Sequence, residues 1–163
     1  MTTSVSGTAT AQQRADIIEA VTRLFWYIDI KDWDSFPSVF ADEVTLDYSS
    51  VWGGGPATVA PAQIRADWEK LIGSFDATQH LLGNHLVSVD GDHAELTAVF
   101  QAVHILANPL GSPRWTLGGT YRIGLELVDG DWKVDYMLMT AQWADGNKDI
   151  MNIASGGQRP EAA

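Results

Sequence analysis

Hydrophobic residues in the first half of the chain recur with the spacing of an α-helix. This spacing predicts a first amphipathic helix over residues 11–31, and a second such pattern, opened by a proline, predicts another over residues 61–75. Between them, Asp34 can cap a short helix, the alternation in residues 43–49 predicts a strand, and the glycines and prolines of residues 50–61 predict a flexible loop. The apolar positions of the first helix are Ile17, Ile18, Val21, Leu24, Phe25 and Ile28.

After residue 77 the hydrophobic period changes from 3.6 to 2, the period of a β-strand. Turn signals at residues 90–92, 108–113 and 129–131 divide this half of the chain into four long strands. Gly118 and Gly119 lie where one of these strands can bend. The predicted fold is therefore of the α+β class, a cone-shaped barrel in which three N-terminal helices pack on a strongly curved antiparallel or mixed sheet and enclose a pocket.

The chain has 163 residues, shows no internal repeat or linker, and is predicted to form one domain. We expect this domain to cover residues 11–147, after a disordered start at residues 1–10 and before a loose, polar tail at residues 148–163.

Charge and composition narrow the range of functions. The net charge is −11 and no basic stripe offsets it, so neither nucleic acid nor an anionic membrane surface is an expected partner. No apolar run reaches the roughly 20 residues of a membrane span, and the first ten residues do not have the pattern of a signal peptide. The absence of cysteine excludes disulfides and thiolate metal sites and is consistent with a cytoplasmic protein.

Asp29 is the residue that first indicates a site. By helical spacing it shares the apolar face of the first helix with Phe25, Val21 and Ile18. Burying a carboxylate among such neighbours is costly unless another group pairs with it.

Two histidines can be that partner. His80 and His104 alternate with apolar residues in long strands and are predicted to face the inside of the sheet, whereas His85 is predicted to face outward and His93 to be exposed. A carboxylate paired with a histidine raises the basicity of the ring, which suits a general base. The pattern leaves open which of the two inward histidines pairs with Asp29. It also leaves open a pair that only holds the helix to the sheet.

Further residues are candidates for binding a ligand. Tyr48 lies on the inward side of the predicted strand over residues 43–49, and its hydroxyl can donate to a substrate oxygen or bond to the backbone of the core. A metal site made of Asp29, His80 and His104 is a weaker alternative, because their spacing is not a local ligand motif. The candidate pocket walls are Trp26, Tyr27, Trp52, Trp68, Asn84, Phe100 and Trp115, each of which can instead be plain core or surface.

Three stretches of the sequence resemble a known family. They are residues 16–50, residues 75–105 with TQHLLGNH, and residues 118–134. In this order they are similar to SnoaL-like domains of the nuclear-transport-factor-2-like superfamily, on its scytalone dehydratase and polyketide cyclase branch. The resemblance covers about residues 12–147.

The resemblance implies a deep apolar pocket and acid–base chemistry without a cofactor. In scytalone dehydratase-like enzymes, a helical Asp and two strand histidines serve the reaction, and tyrosines polarise the substrate carbonyl. The positions that match are Asp29, His80 and His104, with Tyr48 as the best match for a tyrosine. A second tyrosine of that family is unmatched, because Ile28 stands just before Asp29.

The functional hypothesis is a cofactor-free dehydratase, cyclase or isomerase acting on an apolar, aromatic or polyketide-like small molecule. In it His80 is the base or acid, Asp29 orients it, His104 is a second acid or base, and Tyr48 is a donor. The alternative is a non-catalytic binding or assembly module of the same fold, which would have its Asp–His pair shut off from the pocket. Apolar residues predicted on the outer sheet face indicate a homodimer or homotrimer; they are Val99, Val103, Met137 and Met139.

Overall fold

One mixed, six-stranded sheet forms the body of the fold in the computed structural model, which describes residues 7–109 and 111–156. The strand order is β2-β1-β6-β5-β4-β3. The helices are α1 (Ala11–Ile30), α2 (Ser49–Trp52), α3 (Pro61–Ile72) and α4 (Asp149–Ala154), with a 3₁₀ helix at Phe36–Val39. The strands are β1 (Phe40–Asp47), β2 (Ala57–Val59), β3 (Ala77–Asp90), β4 (His93–Ile105), β5 (Arg114–Val128) and β6 (Asp131–Gly146).

Local sequence sets both ends of α1. Thr10 accepts from the Gln13 backbone N–H at 3.1 Å, while its own N–H donates to the Gln13 side chain at 3.0 Å, a reciprocal cap that satisfies two unpaired donors of the first turn. Lys31 ends the helix in the left-handed conformation, and its ammonium donates to the Phe75 carbonyl at 2.6 Å. This end of α1, which carries Asp29, is therefore held beside the start of β3.

The long strands confirm the α+β prediction. β3, β4, β5 and β6 form a continuous antiparallel meander, and β1 joins it in parallel beside β6, so the sheet is mixed. Alternate residues of β4 are buried against the helices, from Ala94 to His104. None of the helices within the described ranges has the length and apolar character needed to cross a membrane.

Among the four long strands, the pairing register is irregular at three places. They lie between Gly83 and Leu86 in β3, between Gly118 and Gly119 in β5, and beside Asp135 in β6. At each place one strand of the pair carries one extra residue. Such a residue increases the local twist and reverses which face the following side chains occupy. One of these irregularities lies at the two glycines where the sequence predicted a bend.

These reversals correct two predictions. Beyond the β3 irregularity, Leu86 is 72% exposed, and Asn84 has a left-handed backbone (φ 54°) and lines an open groove on the outer face rather than the inner pocket. Beyond Asp135, Met137 and Met139 turn into the core instead of outward. Of the four residues predicted on the outer face, Val99 is exposed and Val103 is half-buried.

Several predicted connections are more ordered than expected. The predicted loop over residues 50–61 contains most of α2 and all of β2. Ser35, not Asp34, precedes the 3₁₀ helix, and Asp34 instead accepts from Arg65 at 3.0 Å.

Both predicted ends need a correction. The prediction of a loose tail is wrong for α4, which buries Ile150, Met151 and Ala154. The predicted disordered start is wrong for Thr8, which forms a β-bridge with Ser88. Residues 1–6 and 157–163 lie outside the described residues.

Candidate active site

An apolar cavity of about 340 Å³ lies between the helices and the inner face of the sheet. Its size is within the usual range of small-molecule sites. Gly53 and Gly55 of the loop after α2 lie in its wall, and Met151 contributes from α4. The aromatic and histidine side chains in the wall are Phe25, Tyr48, Trp52, Trp68, His80, Phe100, His104, Trp115 and Tyr121.

Asp29 lies in the last turn of α1 and is tied to β3 by three hydrogen bonds. One carboxylate oxygen is 2.7 Å from Nδ1 of His80 and accepts from the Thr78 hydroxyl at 2.9 Å. The other oxygen accepts from the His80 backbone N–H at 2.7 Å. Burial opposes the charge, but the bonds from His80 and Thr78 outweigh it, and the pKa of Asp29 is lowered. The partner left open by the sequence is therefore His80.

His80 connects this carboxylate to the cavity. Only 8% of its side chain is exposed, and the residue forms part of the cavity wall. With Nδ1 engaged by Asp29, Nε2 is the ring nitrogen left for a ligand. The ring packs against Phe25, with centroids 5.4 Å apart, and against His104, with centroids 5.9 Å apart. The pair is thus open to the cavity rather than shut off from it.

His104 lies deeper, on β4. It is 4% exposed and packs between Phe75 and Trp115, and its Nδ1 has no hydrogen-bond partner. Burial, followed by the nearby His80, lowers the pKa of His104 to about 4, and the Trp115 backbone only partly opposes this. The ring is therefore neutral at pH 7.

Two tyrosines, Tyr48 and Tyr121, form another part of the cavity wall. The Tyr48 hydroxyl is buried without a hydrogen-bond partner of normal geometry, and its ring contacts those of Trp68 and Tyr121. Burial, and then the Tyr121 hydroxyl, raise the pKa of Tyr48 well above its usual value. Burial also raises the pKa of Tyr121. Both hydroxyls therefore keep their protons at pH 7.

The predicted wall residues fall into two groups. Trp52, Trp68, Phe100 and Trp115 line the cavity, whereas Trp26, Tyr27 and Asn84 do not. Trp26 is 60% exposed, because α1 turns that side toward solvent. Tyr27 lines a separate, polar groove beside Trp132 and Lys133. Residues two positions apart on an α-helix point to nearly opposite sides, so Tyr27 faces away from Asp29.

Sequence reasoning missed two residues of the site. Tyr121 shares the inward parity of Trp115 and Leu117 on β5, and that parity was the available signal. Thr78, two residues before His80 on the same face of β3, was overlooked in the same way.

The arrangement offers no clear metal site in the described part of the chain. Within residues 7–109 and 111–156, no group of three or more His, Asp or Glu side chains is placed to hold an ion. Asp29 and His104 both neighbour His80, but the carboxylate is already bound to the His80 ring, its backbone and Thr78.

Comparison with known proteins identifies the family of the chain. Residues 9–137 match the family model of the SnoaL-like domain, which is most of the chain. The chain therefore belongs to the SnoaL-like domain family of the nuclear-transport-factor-2-like superfamily, as the resemblance predicted. No curated protein sequence matches it significantly.

Solved structures share the fold. The Kfla4162 protein of Kribbella flavida is 29% identical, with a TM-score of 0.80, and the match covers 88% of this chain and 97% of the other. A Novosphingobium aromaticivorans protein provisionally assigned as a scytalone dehydratase is 19% identical, with a TM-score of 0.70 and coverages of 83% and 88%. A hexachlorocyclohexane dehydrochlorinase is 15% identical, with a TM-score of 0.70 and coverages of 83% and 89%.

Proposed function

We propose that the chain is a cofactor-independent enzyme that moves a proton on an apolar, aromatic or polyketide-like small molecule through Asp29 and His80. The reaction class is that of a lyase or isomerase: dehydration, ring closure or a double-bond shift. One observation carries the proposal, namely a His80 ring bound through Nδ1 to a charged Asp29 and bordering an apolar cavity. The named structural neighbours, a dehydrochlorinase and a protein assigned as a dehydratase, support an elimination-type reaction.

The proton transfer follows from the electrostatics of the pair. Nε2 of His80 accepts a proton from a carbon next to a carbonyl group, and the bonding electrons move onto the carbonyl oxygen. The Asp29 carboxylate stabilises the imidazolium that forms, and the apolar surroundings strengthen this attraction. Tyr48 donates to the oxygen as negative charge develops there. In this scheme His104 is neutral and serves as the second proton-transfer group.

Hydrogen exchange tests this step without knowledge of the natural substrate. 2-Tetralone, a compact aromatic ketone with an acidic α-proton, is incubated with the protein in D₂O, and NMR follows the loss of the α-proton signal. We expect exchange above the buffer rate, and we expect His80→Ala to reduce the enzymatic part by about 10²–10⁴-fold. Asp29→Asn should cost a comparable factor, because an amide keeps the shape but supplies no charge.

Two further variants make the exchange test specific. The losses in the double variant of Asp29 and His80 should not add, because the two residues act as one unit. His93→Ala is the matched control, since His93 is exposed at the start of β4 and should exchange like the wild type. Wild-type exchange in both single variants would make the pair structural and would favour the non-catalytic binding module.

A further inference from the structure

Two residues of β3 hold the Asp29 carboxylate. Oδ1 of Asp29 lies 2.7 Å from Nδ1 of His80 and accepts from the Thr78 hydroxyl at 2.9 Å. Oδ2 accepts from the His80 backbone N–H at 2.7 Å. Among the hydrogen bonds that the described residues make to this carboxylate, the Thr78 bond is therefore the one that does not come from His80.

The position of Thr78 follows from strand geometry. Thr78 and His80 are two residues apart on β3, so their side chains leave the same face of the strand, toward the end of α1 that carries Asp29. Thr78 is 8% exposed, and its branched β-carbon restricts the rotation of the side chain, which keeps the hydroxyl directed at the carboxylate. Thr78 lies outside the cavity wall, so an effect of its hydroxyl on the reaction passes through Asp29.

Thr78 and His80 share one acceptor atom, Oδ1 of Asp29. Burial opposes the charge of Asp29, but the hydrogen bonds from His80 and then Thr78 outweigh it and lower the pKa of Asp29. A charged carboxylate can only accept, so Nδ1 of His80 carries a proton. Donation from Thr78 to the same oxygen stabilises the ionised carboxylate and weakens its attraction for that proton. The hydroxyl thereby moderates the proton affinity of the pair.

Other titratable groups that face the pair keep their charge state above pH 5. His104, whose ring centroid lies 5.9 Å from that of His80, is largely neutral there, because burial lowers its pKa to about 4. Burial raises the pKa of Tyr48 and of Tyr121, so both keep their protons. Lys31, at the end of α1, donates to two backbone carbonyls. A shift in the pH dependence of proton transfer therefore reports on the pair itself.

We propose that Thr78 is a positioning residue for the Asp29–His80 pair: its hydroxyl fixes the Asp29 carboxylate against the ring and sets the pH range in which His80 accepts a proton. The inference deepens the proposed function, on which it rests for treating His80 as the proton-transfer group. It adds a third residue behind the pair, outside the cavity.

Thr78→Val tests this role, because it removes the hydroxyl at almost the same side-chain volume. In the exchange of 2-tetralone, measured between pH 5 and pH 9, we expect kcat to fall about tenfold while KM stays unchanged, since Thr78 is not part of the cavity wall. The acidic limb of the pH profile belongs to the coupled pair. It should move to higher pH by about one unit, because the carboxylate loses a stabilising donor.

Two further variants separate positioning from a simple loss of packing. Thr78→Ser restores a hydroxyl without the methyl group, so it should return the acidic limb to its wild-type position and kcat to within about threefold of the wild type. Thr116→Val is the matched control, because it makes the same chemical change at a 6% exposed position of β5 that lies outside the cavity wall. It should keep the wild-type profile.

Nitrogen-15 NMR of the free protein tests the same role without a substrate. In protein with labelled histidines at pH 7, the His80 signals are identified by their loss in His80→Ala. Correlations to the carbon-bound ring protons then report both ring nitrogens. We expect a proton on Nδ1 in the wild type, and a downfield shift of Nδ1 in Thr78→Val, because the carboxylate becomes a stronger acceptor. Thr78→Ser should restore the wild-type signal, and Thr116→Val should leave it unchanged.

The NMR data and the exchange data fail independently. If Nδ1 responds to Thr78→Val and recovers in Thr78→Ser while His80→Ala exchanges like the wild type, the positioning role stands and the proposed enzymatic function falls. If exchange depends on His80 while Thr78→Val leaves both the Nδ1 signal and the pH profile unchanged, the enzymatic function stands and the role of Thr78 is wrong. An equal response to Thr116→Val would also overturn that role.

Discussion

Asp29 combines two tasks that are usually separate in a small domain. Its three hydrogen bonds come from β3, so the same carboxylate that sets the orientation of the His80 ring also ties the end of α1 to the sheet. Removing it would leave the Thr78 hydroxyl and the His80 backbone N–H unsatisfied as well as the ring. Asp29→Asn, which retains an acceptor oxygen, is therefore a cleaner probe of charge than Asp29→Ala.

His104 gives a second prediction at the scale of a single residue. Burial lowers its pKa from an ordinary 6.5 to about 4 in the folded chain. Between these values the unfolded chain binds a proton that the folded chain does not, so stability is lost as the pH falls from 6.5 toward 4. Between pH 7 and pH 5 this one group should cost about 2 kcal/mol of the free energy of unfolding.

Urea unfolding followed by tryptophan fluorescence at the two pH values checks this. His104→Phe, which cannot titrate, should lose less stability than the wild type on going from pH 7 to pH 5, by about 2 kcal/mol. His93→Ala, altered at an exposed position, should keep the wild-type difference. An unchanged difference in His104→Phe would mean that the folded protein accommodates the protonated ring.

A site residue could be predicted from the sequence when it is polar but occupies a position that the hydrophobic pattern assigns to the core. Asp29 was identifiable because a carboxylate in an apolar helical stripe requires a partner, and His80 and His104 because they interrupt apolar strand positions. Tyr121 carries no such conflict, since a tyrosine suits a half-buried strand whether or not it lines a cavity. Its place in the cavity wall emerges only from the structure, where its ring contacts that of Tyr48.

At the scale of elements, β5 and β6 change register just before the stretch of β5 that carries Tyr121. The register changes at Gly118 and Gly119, where β6 carries one extra residue, and Tyr121 follows two positions later. A methyl group added at Gly119 would overlap the Thr140 carbonyl oxygen of β6. Because that oxygen belongs to the backbone, the strands would have to move apart to accommodate the change.

We therefore expect Gly119→Ala to lower the free energy of unfolding by about 1–3 kcal/mol, the usual cost of overpacking. Gly83→Ala is the matched control, because no atom lies within 4 Å of its added methyl group, and it should stay within about 0.5 kcal/mol of the wild type. Chemical denaturation of the two variants measures both values. Equal stability of the two would show that β5 and β6 can separate at this point without cost.

Hydrophobic periodicity predicted the elements well but not their irregularities. The four long strands and their hairpins follow from alternation and turn signals, which are local properties. A bulge in a strand inserts one residue that neither composition nor a turn signal marks. After it, each side chain lies on the face opposite to the one that the alternation predicts. Asn84 and Met137 were assigned to the wrong face for this reason.

At the scale of the whole molecule, the outer face of the sheet carries an apolar surface. Leu81 is 57% exposed, Leu86 72% and Val99 43% on β3 and β4, and Trp143 of β6 is 48% exposed where its ring covers Gly118. Copies of a chain with a net charge of −11 repel one another. Burial of this apolar surface on association would offset the repulsion. The face differs in two residues from the predicted one, since Met137 and Met139 lie inside.

The expectation of a homodimer or homotrimer through this face stays a prediction, and light scattering after size-exclusion chromatography measures it. Leu86→Glu should shift the wild-type assembly toward the monomer, because it places a carboxylate in the middle of the apolar surface, where association would desolvate it. Ile30→Glu makes a similar exchange of an apolar side chain for a carboxylate at a 51% exposed position on α1, away from this face, and should leave the assembly intact. A wild-type protein that is monomeric at micromolar concentration, or an Ile30→Glu variant that dissociates as readily as Leu86→Glu, would show that copies of the chain do not associate through the outer sheet.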